Sequence, residues 1–158
     1  MRFPYLVLPT KRAVYSLGGI SARPRLVIPV QISGPLGSLV LDACLDTGTD
    51  DTLFPKQVAR ALGIGVTQAP DEGEALPIGG SPLRYPYGRV TLRVADGVEA
   101  CELEAIVGFI DVALPWPLLG LAGFLQFFDA TLKGDQKELL LTPNNSFPGR
   151  SSRRAGSP

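Results

Sequence analysis

A polar cluster follows an apolar stretch in the sequence LVLDACLDTGTDDTLFP, which covers residues 39–55. The cluster contains three carboxylates within six positions, namely Asp46, Asp50 and Asp51. A carboxylate that is fixed at the end of a buried strand can act as a general acid or base. A carboxylate in a solvated turn only caps the backbone. Asp46 comes directly after the apolar run, which makes it the first candidate for chemistry.

The neighbours of Asp46 are suited to holding a carboxyl group in one orientation. Thr47 can hydrogen-bond locally, and Gly48 lets the backbone approach the carboxyl group closely. One such group is poorly equipped to hydrolyse an amide. Two carboxyl groups about 3 Å apart that share a proton supply both a base to activate water and an acid to protonate the carbonyl or amine.

The composition excludes several other kinds of site. At 158 residues the chain is long enough for one domain with a substantial core. It has no histidine and only two cysteines, which excludes Ser-His-Asp and Cys-His catalysis, a Cys/His zinc site and a disulfide framework. The formal net charge is zero, so no nucleic-acid partner is indicated. We expect neither a metal nor another cofactor.

Short apolar pieces between glycines and prolines predict an all-β fold, mostly β with two short helices. RLVIPVQIS and GSLVLDACLD predict one hairpin, and RVTLRV and CELEAIVGF predict another across the turn ADG. Gly79-Gly80 is the expected tip of a third hairpin, and Gly134-Asp135 of a final one. PKQVARALGIG predicts a helix, since Pro55 opens it and Gly63 follows its end.

The apolar stretch at residues 106–128 is long enough to span a membrane. However, it is interrupted by Asp111, Pro115, Pro117 and Gln126, and a charge near the bilayer centre costs roughly 2.5–3.5 kcal/mol. We therefore expect a buried strand, a loop and a core-facing helix in this stretch. The protein is expected to be soluble and cytoplasmic, with no membrane partner.

Several of these features together resemble one protein family. Asp46-Thr47-Gly48 resembles the Asp-Thr-Gly signature of aspartic proteases, and DTGTDDTLFP resembles the retroviral-type proteases, or retropepsins. Ile78-Gly79-Gly80 is similar to the glycine-rich flap, and Leu118-Leu119-Gly120 with LAGFLQFF is similar to the apolar-apolar-glycine element and terminal helix of that family. The inserted helix is more similar to cellular, bacterial-type members. The resemblance covers roughly residues 24–143.

The resemblance implies a single-lobe retropepsin-like acid protease barrel that is active as a homodimer. It implies an aspartic endopeptidase, in which two Asp46 carboxylates activate a water molecule to hydrolyse a peptide or protein substrate. The sequence contains only one Asp-Thr-Gly, so the second carboxylate must come from a second chain. The implied catalytic residues are Asp46, Thr47 and Gly48, and the implied substrate-binding residues are Thr49, Asp50, Asp51, Ile78, Gly79 and Gly80.

Other interpretations of these residues remain open. If the resemblance is set aside, Asp50 and Asp51 could instead be residues that cap the backbone of the turn. Thr49 could donate a hydrogen bond to the outer oxygen of Asp46 and favour its charged form. The acidic segment PDEGEA, residues 70–75, could bind a cation or form a solvated loop. The alternative for the whole chain is a retropepsin fold used for peptide binding or dimerisation, without turnover.

The sequence also departs from the family pattern. Leu121 and Ala122 follow Leu-Leu-Gly in this chain. At that place viral enzymes have an arginine that braces the loop after the catalytic aspartate, which here is residues 46–52 and is called the acidic loop below. Either Arg23 or Arg25 takes that place beside Asp50, or the loop is held differently. We expect a protease domain at residues 23–143, preceded by an extension at 1–22 and followed by a disordered tail at 144–158. The extension could be an interface strand, a self-cleavage segment or a cover for the cleft.

Overall fold

A computed structural model describes residues 1–68, 70–76 and 80–153 of the chain. Strands dominate this part, which confirms the all-β class. The strands are β1 Arg2–Pro4, β2 Leu6–Val14, β3 Ile20–Arg25, β4 Val27–Gly34, β5 Gly37–Leu45, β6 Leu53–Pro55, β7 Glu72–Ala75, β8 Leu83–Ala95, β9 Glu99–Ile110, β10 Leu118–Leu119, β11 Phe128–Lys133, β12 Glu138–Pro143 and β13 Arg150–Arg153. The helix α1 is Lys56–Leu62, and 3-10 turns cover Tyr15–Leu17 and Leu125–Phe127.

Six of these strands close into a barrel. They are hydrogen-bonded in the order β9, β6, β10, β5, β4 and β8, and the pairing of β8 with β9 completes the ring. β7 and β13 extend the sheet beyond the ring, at β8 and β9 respectively. Outside the barrel, β1, β12 and β11 form a three-stranded sheet, and β2 pairs with β3 in a separate ribbon.

Alternating side chains of the barrel strands form the core. In β4, Val30 and Ile32 are fully buried, and Leu92 and Val94 of β8 lie in the same cluster. Side chains of a strand point alternately to its two faces, so each strand contributes every second residue to the interior. Each fully buried aliphatic side chain of this size contributes about 1.5–3 kcal/mol to folding. The barrel is therefore the rigid body on which any site must be built.

The helix α1 has the predicted position. Pro55 is extended immediately before it, and Gly63 ends it with a left-handed φ of 64°. Its buried face carries Val58, Ala59 and Leu62, which join the main core. Local sequence signals were sufficient to predict this element.

Three of the predicted hairpins are also confirmed. β4 and β5 meet at Gly34 and Gly37, β8 and β9 meet at the turn after Ala95, and β11 pairs with β12. β7 pairs with the first part of β8, as the arms of the remaining hairpin should. Its expected tip includes Ile78 and Gly79, which lie outside the described residues.

The stretch at residues 106–128 contains the expected strand and loop, but the core-facing helix is wrong. After β10 the chain forms only the 3-10 turn Leu125–Phe127, because Gly123 before it has a left-handed φ of 84°, Phe124 has a φ of −143°, and Phe128 after it is already extended. Leu121 N donates to Thr49 O at 3.0 Å, and Ala122 N donates to Asp50 O at 2.7 Å. These bonds join the segment after β10 to the loop formed by residues 46–52. No helix in the described residues is long and apolar enough to cross a membrane.

Both ends of the described part of the chain pair with other strands, β1 with β12 and β13 with β9. Phe3 of β1 is buried in the main core, so the first residues belong to the packed structure, and the expected boundary at residue 23 falls inside β3. The tail differs in part from the expected disorder, since β13 pairs antiparallel with β9. Two ion pairs, Arg150 to Glu102 and Arg153 to Glu99, accompany that pairing. Residues 154–158 lie outside the described part.

Candidate active site

Asp46 lies where two parallel strands end side by side. β10 runs parallel to β5, with Leu118 opposite Cys44 and Leu119 opposite Leu45. The N–H of Asp46 donates to the carbonyl of Leu119 at 3.1 Å. The preceding residue, Leu45, is buried and donates its own N–H to the carbonyl of Leu26 at 2.8 Å. The backbone of Asp46 is therefore fixed by the barrel on both sides.

The carboxylate of Asp46 accepts one hydrogen bond at each oxygen. The N–H of Gly48 donates to Oδ1 at 3.0 Å, and the hydroxyl of Thr49 donates to Oδ2 at 2.9 Å. A β-carbon at position 48 would lie 3.3 Å from Oδ1, so glycine leaves room for the carboxylate. Asp46 is half-buried, whereas Thr47 is exposed. The predicted catalytic residues thus form one short loop around a single oriented carboxylate.

The surroundings of Asp46 contain a thiol and a guanidinium group. Residues 42, 44 and 46 follow the outward face of β5, while Ala43 and Leu45 point into the core. Burial, followed by the negative charge of Asp46, raises the pKa of the Cys44 thiol, and the positive charge of Arg25 opposes this. Cys44 therefore stays a neutral thiol, and Arg25 lies near enough to influence this face.

The loop after Asp46 is held by its neighbour, the turn after β10. Besides the two bonds from Leu121 and Ala122, Thr52 N donates to Ala122 O at 2.9 Å. Gly120 permits this approach, since a β-carbon there would overlap the carbonyl of Asp51. The Leu-Leu-Gly element and the acidic loop thus form one backbone-bonded unit, which explains why position 120 needs glycine.

Asp51 is bound by two tyrosines that sequence reasoning did not identify. The hydroxyls of Tyr85 and Tyr87 both donate to Asp51 Oδ2 at 2.7 Å. Burial and then the bond to Asp51 raise the pKa of Tyr87 to about 12, and the same causes raise the pKa of Tyr85 further. Both phenols therefore remain donors, and the lack of a side chain at Gly73 leaves space for them. The acidic loop is held differently from the arginine-braced pattern.

Asp50 differs from Asp51 in its surroundings. Its side chain is exposed, and no ion pair joins it to Arg23 or Arg25 among the residues that the structure describes. Asp50 thus remains available to a ligand or partner, while one oxygen of Asp51 is occupied by phenols. Whether either aspartate contacts a substrate stays a prediction.

The remaining predicted residues lie on or beside the β7–β8 hairpin. Gly80 is exposed, and Ile78 and Gly79 are not among the described residues. In the acidic segment before and within β7, Glu74 pairs with Arg84 at 3.7 Å. No group of three or more possible metal ligands occurs within residues 1–68, 70–76 and 80–153.

Comparison with known proteins adds no family assignment. No protein-family model matches the chain, and no curated protein sequence matches it. The site must therefore be interpreted from its own geometry, together with the resemblance of its motifs.

Proposed function

We propose that this chain is an aspartic endopeptidase of the retropepsin-like type, which acts as a homodimer without a metal or cofactor. The setting of Asp46 carries this proposal. Its carboxylate is held at the end of a buried strand by the Gly48 N–H and the Thr49 hydroxyl, and it is half-buried rather than freely solvated. What distinguishes Asp46 from a carboxylate in an ordinary turn is that its backbone N–H bonds to Leu119 at the end of the parallel strand β10, directly after the buried Leu45.

The dimer follows from the count of carboxylates. Each chain supplies one Asp-Thr-Gly, and amide hydrolysis by this chemistry needs a base and an acid together. A two-fold axis beside Asp46 would bring two identical carboxyl groups together, because every residue near such an axis meets its own copy. The exposed side chain of Thr47 is free to hydrogen-bond across the same axis.

The reaction needs one protonated and one ionised Asp46. The ionised carboxylate removes a proton from water, and the resulting hydroxide attacks the carbonyl carbon of the peptide bond. The protonated carboxyl group gives its proton to the carbonyl oxygen, which forms a neutral tetrahedral diol. Collapse of the diol breaks the C–N bond as the nitrogen is protonated, and the dyad regains its single shared proton.

An extended peptide is the substrate that fits this arrangement. Such a segment can hydrogen-bond through its backbone as an added strand, with side chains in alternate pockets. The β7–β8 hairpin, which carries Gly80 beyond β7, would close over it. Asp50, with its exposed carboxylate, and Thr49 are placed in the loop beside Asp46, where they could contact the bound backbone.

The test is cleavage of an unstructured protein across roughly pH 4 to 7, the range that a shared-proton dyad spans. We expect wild type to cleave and Asp46→Asn to be inactive, because asparagine keeps the shape but cannot exchange the proton. Asp129→Asn is a matched control, since Asp129 is exposed on β11, away from the loop. It should retain full activity.

Two results would count against the proposal. Equal cleavage by wild type and Asp46→Asn would remove Asp46 from the chemistry. An absence of cleavage by a wild-type protein shown to be folded and dimeric would favour a peptide-binding or dimerisation module without turnover.

A further inference from the structure

The ribbon formed by β2 and β3, called the arm below, is an exposed part of the chain. Its two strands pair only with each other and make no ladder with the described strands of the barrel. Between Pro9 and Ile20 only Val14 is buried. A strand of nine residues, the length of β2, spans about 30 Å. The arm is therefore long, and its strands form no ladder with the described barrel strands.

The arm is also strongly basic. Residues 1–41 contain no aspartate or glutamate, and the arm itself carries Lys11, Arg12, Arg23 and Arg25. None of these four cations forms an ion pair within the described residues. All fifteen acidic residues therefore lie in the remaining 117 residues. Because the whole chain has a formal net charge of zero, residues 42–158 carry the compensating negative charge.

Unpaired acidic groups lie on the face that contains the candidate active site. Asp42 and Asp50 are exposed, and neither forms an ion pair in the part of the chain that the structure describes. Asp42 follows the same outward face of β5 as Asp46. Leu121, in the turn bonded to the acidic loop, is 47% exposed and gives this face an apolar component.

The root of the arm lies beside Asp46. Its last pair joins Leu6 to Arg25, and the next residue, Leu26, accepts a hydrogen bond from Leu45, which precedes Asp46. In the proposed homodimer the two-fold axis passes between the two Asp46 carboxyl groups. An arm that starts beside this axis is within reach of the second copy.

We infer that the arm of each copy docks on the face of a second copy that carries Asp42 and Asp50. Charge complementarity selects this occupant, since basic groups without partners on the arm match acidic groups without partners on that face. The exposed side chains Tyr15, which is 98% exposed, and Ile20 at the far end of the arm would cover apolar surface of the second copy. The inference rests on the proposed homodimer and adds the contact that stabilises it.

The inference is tested by the dimer dissociation constant, measured by sedimentation equilibrium without any substrate. In the variant Arg12→Glu/Arg23→Glu we expect that constant to rise about tenfold or more, because each reversal occurs twice in a two-fold dimer. Arg60→Glu/Arg93→Glu makes the same charge change at exposed arginines outside the arm and should leave the constant unchanged. The wild-type constant should also rise with ionic strength.

A second measurement locates the contact. A photo-crosslinking amino acid in place of Tyr15 should capture a second copy, with crosslinked peptides from the segments around Asp42 or Leu121. An unchanged dissociation constant for the arm variant, or crosslinks only within one chain, would overturn the inference. Either result would leave the outcome of the cleavage test unchanged. A dimer that depends on the arm but does not cleave the substrate would contradict only the proposed catalysis. Capture of nucleic acid instead of a second copy would also overturn the docking.

Discussion

At the scale of single residues, the hydroxyl of Thr49 is the side-chain donor to the Asp46 carboxylate. It donates to Asp46 Oδ2 at 2.9 Å, as the sequence hypothesis required, and a hydrogen bond to the ionised form of a carboxyl group favours that form. Its removal should let the carboxyl group keep its proton to higher pH. In Thr49→Ala we therefore expect the acid limb of the pH–rate profile to move to higher pH.

A conservative variant separates this effect from a general loss of structure. Thr49→Ser keeps the hydroxyl and should keep the acid limb at the wild-type pH. If the acid limb stayed in place in Thr49→Ala, the hydroxyl would have no electrostatic role. A uniform fall in rate at every pH would instead indicate disturbed packing of the loop.

The residues around Asp46 were predictable because they are close in sequence. Asp46, Gly48 and Thr49 interact over two or three positions, so residue types alone indicated an oriented carboxylate. The tyrosines on Asp51 were not predictable in this way. Tyr85 and Tyr87 lie 34 and 36 positions further along the chain, and only the closed barrel brings β8 to the acidic loop.

At the scale of elements, the two tyrosines couple β8 to the acidic loop. The pKa of Tyr87 is raised to about 12 by burial and by the Asp51 carboxylate. A raised pKa means that the folded state favours the neutral phenol. The stabilisation is complete below the ordinary pKa of 10.0 and is lost as the pH rises through about 12.

This coupling can be measured by ultraviolet titration of the phenols. Asp51→Asn removes the charge and should move the titration of Tyr87 down toward 10. The same substitution should also lower the alkaline pH at which the folded state begins to lose stability. Asp50→Asn is the matched control, because the exposed Asp50 does not bind the tyrosines, and it should change neither property. Equal titration curves for Asp51→Asn and wild type would contradict the described bonds.

Among the elements, those with local signals could be predicted and those fixed by distant partners could not. Pro55 and Gly63 bound α1, and short glycine turns bound the hairpins. The segment after Gly120 looked helical because it is apolar, but Gly123 and Phe124 have non-helical backbone dihedrals. β13 is polar and gave no signal, since backbone pairing and ion pairs with β9 hold it in place.

At the scale of the whole molecule, the proposed activity depends on a second chain. Each chain holds one oriented Asp46, one basic arm without ionic partners among the described residues, and one acidic face. A two-fold dimer would pair the carboxyl groups and place each arm beside the opposite copy. Counting Asp-Thr-Gly motifs was enough to propose a dimer from the sequence, but the position of the arm's root beside Leu45 and Asp46 required the fold.

The most direct test of the central claim is the activity of mixed dimers. Wild type and Asp46→Asn would be refolded together at equal amounts and constant total protein, and cleavage would be measured against wild type alone. If the dyad takes one Asp46 from each chain, random pairing should leave about one quarter of the activity, because only dimers of two wild-type chains are competent. Activity of about one half would mean that each chain works alone, which would contradict the shared dyad.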